Sequence, residues 1–445
     1  MPELIRKKKK MSSFEMIAFG FAGVILLGAI ILMLPISSSA GVVTPFDKTL
    51  FTATSAVCVT GLVVVDTGSY WSAFGQAVIL LLIQTGGLGV ITVVASFSMV
   101  SGRKISLMQR STMQDAISAP KVGGIVRLTK FILQGTFLIE LIGAILMLPV
   151  FCRDYGWKGI WMSVFHSVSA FCNAGFDILG TTEQTFPSLT GYIANPLINL
   201  VIMLLIVIGG IGFLTWDDFC TNKWNLKRYR LQSKIILVTT AVLILLPAIF
   251  FFLSDFAGFS MGKRILASLF QSVTLRTAGF NTADLGAMND SSKAIMTLMM
   301  LIGGSPGSTA GGMKTTTIAV LILNAFATFG REPETEVFGR RFDNTVVKNA
   351  ATIAILYFFL FFTGGIAISQ IEHVALSDCL FETASAVGTA GLTLGITTEL
   401  GLVSHLILVV LMYLGRVGGL TLIYAAISVK IQSGAKRPLD KITVG

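Results

Sequence analysis

Four short segments of this chain share a pattern that could bind a cation. Each ends in a small or hydroxyl residue, then Gly, then Phe or Leu, and the four glycines lie 114, 104 and 112 residues apart. Carbonyl oxygens on a glycine-bearing turn can replace the water around an ion, and four similar units can bring four such turns to one axis. The repeat therefore predicts a pore lined by backbone oxygen. The segments are Ser55–Leu62, Ser169–Phe176, Val273–Phe280 and Ser385–Leu392.

The last four residues of each turn are the predicted lining of this pore. Glycine tolerates a positive φ and keeps the turn thin, and a short helix that ends there directs the partly negative end of its dipole at a cation. Glycines that only pack or cap helices are the alternative, which a single copy would favour. Four copies in register favour the pore. The predicted lining is Cys58, Val59, Thr60, Gly61; Cys172, Asn173, Ala174, Gly175; Arg276, Thr277, Ala278, Gly279; and Gly388, Thr389, Ala390, Gly391.

The composition is that of a membrane protein. Of the 445 residues 53% are hydrophobic and 13% are charged, with a mean hydropathy of +0.80. Apolar segments of about twenty residues can cross about 30 Å of hydrocarbon, and the shorter stretch before each repeat glycine cannot, so it fits a re-entrant helix. We predict an all-α polytopic fold with four repeats of span, re-entrant pore helix and span around a single pore. The eight predicted spans are residues 14–34, 77–100, 131–151, 196–214, 235–253, 293–327, 347–368 and 403–427.

The basic residues give an orientation. Most of the 33 lysines and arginines fall on alternate loops and on both termini, which the positive-inside rule assigns to the cytosol. The net charge of +10 is therefore explained by topology, and we expect no nucleic acid partner. The predicted units are a basic cytosolic N-terminus 1–13, repeat 1 at 14–100, repeat 2 at 131–214, repeat 3 at 235–327, repeat 4 at 347–427 and a cytosolic tail 428–445.

Acidic residues predominate on the predicted outer side, among them Asp66 and Asp177. A net negative vestibule would concentrate cations, whereas ordinary solvated loop charge would do nothing specific. The sequence leaves both interpretations open. Two further glycine clusters, Gly86–Gly89 and Gly209–Gly212, lie in apolar helices at matching places in their repeats, and we expect them to pack helices closely.

The sixth predicted span is interrupted by a glycine-rich segment that could act as a gate. Five glycines and a proline within ten residues cannot continue a stable helix, and the roughly ten residues of the span before them reach only to mid-membrane. A cytosolic loop after a short span is the alternative. The predicted gate is Gly303, Gly304, Ser305, Pro306, Gly307, Ser308, Thr309, Ala310, Gly311 and Gly312, together with Arg416.

Arg416 belongs to this set because it lies inside the last predicted span. An unpaired charge there costs at least about 2.5 kcal/mol, so the side chain needs partners. Facing the pore, it would repel a cation and pair with carbonyls or hydroxyls of the gate segment. Snorkelling to the cytosolic interface is the alternative.

The repeat resembles the Trk/Ktr/HKT superfamily of potassium transporters over residues 14–427, and it is most similar to the Ktr membrane subunit, KtrB. The family's filter glycines correspond to Gly61, Gly175, Gly279 and Gly391, and glycine at all four implies potassium rather than sodium. The resemblance also implies the intramembrane gate, with a basic residue such as Arg416 associated with gating.

Further expectations come from the resemblance alone. It implies a homodimer in the cytoplasmic membrane and a cytosolic KtrA-like regulatory ring that binds ATP, ADP or NAD. We expect no cofactor in this chain, with K⁺ as the transported ion and Na⁺ as a candidate activator. A sodium channel or a proton- or sodium-coupled symporter of the same fold is the first alternative. A membrane enzyme or receptor is the second, although the chain has none of the common catalytic signatures and is not expected to be an enzyme.

Overall fold

The computed structural model describes residues 12–101, 105–119 and 121–419. Most of the predicted N-terminal segment 1–13, the end of the predicted span 403–427 and the predicted tail 428–445 lie outside the described residues. The described part is mostly helical. Its helices are α1 (Ser13–Met33), α2 (Phe46–Cys58), α3 (Thr67–Tyr70), α4 (Ala73–Leu88), α5 (Val90–Val100), α6 (Leu107–Ile117), α7 (Ile125–Tyr155), α8 (Lys158–Phe171), α9 (Pro196–Gly210), α10 (Phe213–Asn222), α11 (Leu231–Leu253), α12 (Met261–Thr274), α13 (Asp290–Met300), α14 (Thr315–Phe329), α15 (Asn344–Glu372), α16 (Leu376–Gly388) and α17 (Leu402–Val417).

Four long apolar helices, α1, α7, α11 and α15, could each cross a membrane by length and composition. Only about a third of each apolar stretch is buried inside the protein, between 28% and 39%. An apolar side chain that is exposed on such a helix is at low free energy only when hydrocarbon surrounds it. These helices therefore present most of their surface to lipid, and they are the first spans of the four predicted repeats.

The second spans are bent or broken. Helices α4 and α5 meet at 99° and α9 and α10 meet at 97°, so each pair is one bent span or a re-entrant element. The bends fall at Gly89 and Gly212, which adopt φ values of +85° and +91°. The predicted spans 77–100 and 196–214 did not include these bends, which arise because a residue with positive φ cannot continue a right-handed helix. Helix α17 ends at Gly418 with the same geometry, φ +90°.

The sixth predicted span is interrupted, as the sequence indicated. Helix α13 ends at Met300 and α14 begins at Thr315, and the segment between them is not helical. The apolar helices α14 and α17 have 15 and 16 residues, which is short of a full membrane crossing.

Four short helices, α2, α8, α12 and α16, lie inside this assembly. Each has 13 or 14 residues and stands between a long helix and the second span of its repeat. Each packs against the long helix that precedes it, as α2 does on α1 and α8 on α7. Their last two turns are buried, including residues such as Thr54, Ser169 and Ser385. Because these ends are polar and enclosed, they can carry a site that lipid would not allow at the surface.

A two-stranded antiparallel hairpin follows α14, with β1 (Glu336–Val337) paired to β2 (Arg340–Arg341). It packs against α14 and connects that helix to α15. An exposed ion pair joins Arg341 to Glu334 at 2.8 Å. The hairpin is a surface connection and does not reach the short helices.

Candidate ion pathway

The four short helices end in the same backbone geometry. The residue two places before each repeat glycine is left-handed, with φ between 52° and 60°, and the glycine itself has φ between 70° and 97°. Two left-handed residues in three positions stop the helix and turn the chain into an extended strand. Only glycine adopts the second conformation without a steric cost. The left-handed pairs are Val59 and Gly61, Asn173 and Gly175, Thr277 and Gly279, and Thr389 and Gly391.

The four glycines meet in a closed ring that follows the chain order. A Cβ added to Gly61 would lie 3.2 Å from the Cα of Gly175, and one added to Gly175 would lie 2.7 Å from the Cα of Gly279. A Cβ on Gly279 would lie 3.3 Å from the Cα of Gly391, and one on Gly391 would lie 3.0 Å from the Cα of Gly61. A side chain at any of these positions would thus collide with the backbone of a neighbouring turn.

Carbonyl oxygens stand close to the ring. A Cβ added to a repeat glycine would lie close to the carbonyl oxygen of the residue that precedes the glycine of the next turn. The distances are 2.6 Å to Ala174, 2.7 Å to Ala278 and 3.1 Å to Ala390, and the carbonyl oxygen of Thr60 is the fourth of the set. Such a ring of backbone oxygens can coordinate a dehydrated monovalent cation.

A cavity of about 130 Å³ lies at the ring and is lined by all four glycines. It is also lined by the residues two positions beyond them, Val63, Asp177, Asn281 and Thr393, so all four repeats contribute equivalent positions. The cavity is therefore shared by the four turns and not built by any one of them.

Two carboxylates border this cavity, Asp66 and Asp177. Asp66 is engaged by protein donors, because it accepts hydrogen bonds from the amides of Ser69 and Phe186, each at 2.8 Å. Asp177 accepts one, from the Leu179 amide at 3.1 Å. Burial raises the pKa of Asp177 to about 7, and the charge of Asp66 contributes in the same direction.

Hydroxyl groups on the short helices hold three of the turns from behind. The Gly61 amide donates to Ser55 Oγ at 3.1 Å, and Ser169 Oγ donates to the carbonyl of Phe176 at 2.7 Å. In the third turn Thr274 Oγ1 donates to the carbonyl that follows Gly279. These contacts fix the strand to its own helix.

Asn173 joins the second turn to the third. Its Nδ2 donates to the carbonyl of Arg276 at 3.2 Å. The guanidinium of Arg276 is buried, and its Nε and Nη2 have no hydrogen-bond partner among the residues that the structure describes. The Arg276 carbonyl is therefore already engaged by protein, whereas two of its three guanidinium nitrogens are not.

The predicted gate segment, residues 303–312, folds into a compact loop between α13 and α14. Its two arms pair through the amide of Gly303, which donates to the Met313 carbonyl at 2.7 Å, and the amide of Gly304, which donates to the Gly311 carbonyl at 3.3 Å. Gly312 adopts φ +67°, and an added Cβ there would lie 2.6 Å from the carbonyl oxygen of Gly388. The loop thus contacts the backbone just before the fourth turn.

The loop is also attached to the second spans of two other repeats. Ser305 N donates to the Gly210 carbonyl at 2.9 Å, and Thr309 N donates to the Gly209 carbonyl at 3.2 Å. The Gly312 amide donates a hydrogen bond to the carbonyl of Gly415 at 3.3 Å. Because both Ser305 and Thr309 are completely buried, the loop lies within the protein at the level of the helix ends.

Arg416 lies against this loop and is partly buried. Its Nη1 donates to the carbonyl of Thr309, and its Nη2 donates to the carbonyls of Gly86 and, at 3.1 Å, Gly87. One guanidinium therefore joins the last helix to the loop of the third repeat and to the second span of the first. This engagement of three carbonyls supplies the partners that a charge in a membrane segment needs.

Lys314 is a second cation at the loop, and the predicted gate did not include it. Its Nζ donates to the carbonyl of Ala310 at 2.8 Å. Lys314 and Arg416 both line a cavity of about 230 Å³ that also includes Gly87 and Gly307. A cation in this cavity would meet two positive side chains.

Three glycines of the second spans allow the short helices to pack closely. An added Cβ on Gly86, Gly209 or Gly415 would run into the carbonyl oxygen four residues before the filter glycine of the same repeat. The predicted packing role of Gly86 and Gly209 agrees with this geometry, whereas the equivalent position of Gly415 was not recognised from the sequence. The matching kinks at Gly89, Gly212 and Gly418, three residues later, were also missed.

A family model for TrkH, a cation transport protein, matches residues 21–435 of the chain. The chain belongs to this family. Membership establishes a cation transport protein of the membrane.

Two curated relatives are similar over nearly the whole length. The potassium/sodium uptake protein NtpJ of Enterococcus hirae is 36% identical, with 99% of each chain covered. The Ktr system potassium uptake protein B of Bacillus subtilis is also 36% identical, with 97% of this chain and 96% of that protein covered. The resemblance to the Trk and Ktr proteins that the repeat glycines indicated is therefore confirmed.

The fold is confirmed by a solved structure. The potassium transporter TrkH of Vibrio parahaemolyticus superimposes with a TM-score of 0.74 and covers 96% of this chain and 87% of its own. At 18% identity it shows the fold alone. The predicted helical, polytopic membrane architecture agrees with it.

Proposed function

We propose that this protein takes up potassium ions across the cytoplasmic membrane as the membrane subunit of a Ktr-type system. The observation that carries the proposal is the closed ring of Gly61, Gly175, Gly279 and Gly391 around one cavity. A ring of backbone oxygens with no side chain in it suits a monovalent cation that has lost its water. The names of the two relatives described above, both potassium uptake proteins, support potassium as the ion.

Selection takes place at the ring. A potassium ion enters the outer cavity, where Asp177 favours a positive charge, and exchanges water for the carbonyl oxygens of the four turns. The C-terminal ends of α2, α8, α12 and α16 all lead into these turns, so their dipoles favour a cation there. The filter is proposed to consist of the four predicted lining sets, 58–61, 172–175, 276–279 and 388–391.

Passage beyond the ring is controlled by the loop 303–312 and Arg416. The contacts of the loop with Gly388 and Gly415 put it next to the filter, and the guanidinium adds a positive charge. Conduction requires the loop and Arg416 to move together away from this position. The two states would differ in the carbonyls that Arg416 engages.

The domain organisation and the orientation are proposed as the sequence predicts them. We propose repeats at 14–100, 131–214, 235–327 and 347–427, with both termini in the cytosol, because the basic loops favour that orientation. We also propose a homodimer that works with a cytosolic KtrA-like ring binding ATP, ADP or NAD, and Na⁺ as an activator. The relative that is named as part of a Ktr system supports a partner subunit.

The test is potassium-dependent growth of an uptake-deficient cell, followed by flux into liposomes. Wild-type protein should restore growth at low potassium, alone or with a ring partner. Gly61→Ser and Gly175→Ser should each lower the K⁺/Na⁺ uptake ratio, because a Cβ at either site meets the next turn. Gly258→Ser is the matched control, since no atom lies within 4 Å of an added Cβ there.

A sodium channel or a coupled symporter of the same fold is the second candidate, because one relative is named a potassium/sodium uptake protein. Flux under imposed gradients separates the two candidates. Uptake that follows the potassium gradient alone supports the proposal. Uptake that requires an inward proton or sodium gradient, or that favours sodium, contradicts it.

A further inference from the structure

One carboxylate behind the ring has no part in the function described so far. Glu382 lies in α16, nine residues before Gly391, and is completely buried. Its Oε1 accepts hydrogen bonds from Thr393 Oγ1 at 2.6 Å and from the amide of Leu394 at 3.0 Å, and its Oε2 accepts one from Thr397 Oγ1 at 2.6 Å. Three donors converge on two oxygens, which is the pattern of an ionised acceptor.

The partners of Glu382 belong to the outer cavity. Thr393 and Thr397 both line it, together with Gly391. The segment 393–397 leaves the fourth turn directly, so its position fixes the outer end of that strand. Each threonine hydroxyl donates its proton to Glu382 at 2.6 Å. Thr393 Oγ1 also accepts from the Gly395 amide at 2.9 Å and lies 3.0 Å from Thr397 Oγ1. The lone pairs that remain on the two hydroxyl oxygens suit a cation and not an anion.

The other three repeats lack this carboxylate. The positions nine residues before their filter glycines are Thr52, His166 and Phe270. In repeats 1 and 2 a serine six residues before the glycine holds the turn, but the equivalent hydroxyl of repeat 4, on Ser385, has no partner in the described part of the chain. The fourth turn therefore depends on Glu382 where the others depend on short hydroxyl contacts.

We propose that Glu382 is a positioning residue that determines ion selectivity through the fourth turn. It fixes Thr393 and Thr397 so that their oxygens face cations in the outer cavity with lone pairs only. This inference rests on the proposed function and assigns a specific residue to it.

The experiment compares the K⁺/Na⁺ uptake ratio of liposomes that contain wild-type, Glu382→Gln or Glu382→Asp protein. In Glu382→Gln the new side-chain amide would direct a donor at one hydroxyl, so one of the three contacts is lost, and we expect the ratio to fall about tenfold, the size of one hydrogen bond to a charged group. Glu382→Asp keeps the charge and should recover part of the ratio. Unchanged selectivity in Glu382→Gln would overturn the inference.

Glu372→Gln is the matched control in the same repeat. Glu372 accepts hydrogen bonds from the Gly401 amide at 2.9 Å and from Ser404 Oγ at 2.5 Å, but neither partner lines the outer cavity. We expect the K⁺/Na⁺ uptake ratio of Glu372→Gln to match that of wild type. An equal loss of selectivity in Glu372→Gln would show a general effect of outer carboxylates and would overturn the specific role of Glu382.

Two further variants decide the matter if Glu382→Gln does not reach the membrane. Thr393→Val and Thr397→Val each remove one donor and keep the side-chain shape, and each should lower the K⁺/Na⁺ ratio in the same direction as Glu382→Gln. Wild-type ratios in both would overturn the inference. Failure of the wild-type protein to take up potassium would instead contradict the proposed function, so the two failures are distinguishable.

Discussion

The hydroxyl of Thr309, in the loop between α13 and α14, lies 3.0 Å from Oδ1 of Asn173, in the turn that ends α8. The same hydroxyl lies 3.0 Å from the carbonyl of Phe171, and the Thr309 carbonyl accepts from Arg416. Thr309 thus connects the proposed gate both to a filter turn and to the charged residue of the last helix. All these groups are polar and enclosed. The loss of one contact therefore leaves a buried hydrogen-bonding group without a partner.

Thr309→Val should make the pathway leakier. The substitution keeps the shape and removes the donor, at a cost of about 1–3 kcal/mol for the acceptors that are left unsatisfied. The state in which the loop 303–312 lies next to the filter loses that stabilisation. The state in which the loop has moved away becomes more populated, and potassium flux rises severalfold. Initial rates of potassium uptake into liposomes measure the effect.

Ser308→Ala is the control for this variant. Its hydroxyl donates to the carbonyl of Ser305 at 2.7 Å, within the loop itself, and makes no contact with the filter turns. We expect its flux to stay within about twofold of wild type. A rise as large as that of Thr309→Val would attribute the effect to loop stability and not to the contact with Asn173.

Arg416→Gln should increase flux more than Arg416→Lys. Glutamine removes the charge and the contacts to Gly86 and Gly87, whereas lysine keeps the charge but cannot reproduce a planar fork that reaches three carbonyls. We expect flux to rise about tenfold in Arg416→Gln and by less in Arg416→Lys, measured by uptake at equal protein density. Arg153→Gln, at an exposed pair with Asp154, should leave flux unchanged. Lower flux in Arg416→Gln would contradict a gating role.

The sequence predicted the four turns because the same residue types recur at matched spacing. Gly61 and Gly391 sit in similar local contexts, and the left-handed backbone at such a glycine is a local property. The apolar runs identified the long helices for the same reason, since helix length and hydropathy need no tertiary information.

The bends at Gly89 and Gly212 could not be predicted in this way. A glycine in an apolar helix is compatible with a straight, closely packed span, and only the neighbouring elements decide whether it turns to a positive φ. The contact between Asn173 and Thr309 joins residues 136 positions apart, and nothing local to either indicates it. Glu382 was overlooked because a single acidic residue on an amphipathic helix is typical of a solvated face.

Gly415→Ala should destabilise the protein without altering ion preference. A Cβ at this position would run into the carbonyl oxygen of Val387, which belongs to the backbone of α16 and cannot rotate away. Overpacking of this kind costs about 1–3 kcal/mol. We expect a lower melting temperature in detergent and less protein in the membrane, with the K⁺/Na⁺ ratio of the remaining protein unchanged.

Gly23→Ala provides the comparison, because Gly23 is exposed on α1 with no atom within 4 Å of an added Cβ. Alanine also has the higher helix propensity, so the melting temperature should stay equal or rise slightly. A similar loss of stability in both variants would mean that the contact with Val387 is not the cause.

Potassium affinity should depend on external pH through Asp177. Burial raises the pKa of this carboxyl to about 7, so it is largely neutral at pH 6 and largely ionised at pH 8. The ionised form attracts a cation into the outer cavity that it lines with Asp66. We therefore expect the KM for potassium uptake to be severalfold lower at pH 8 than at pH 6, with little change in the maximal rate.

Asp177→Asn separates this carboxyl from the other groups that titrate in the same range. The variant keeps the shape and cannot ionise, so its KM should resemble that of wild type at pH 6 and should no longer fall between pH 6 and pH 8. His373 is exposed near the start of α16 and does not line the outer cavity, so His373→Gln should keep the full dependence of the KM on pH. If Asp177→Asn retained the wild-type pH dependence, the titrating group would lie elsewhere and Asp177 would have no part in collecting potassium at the mouth of the ring.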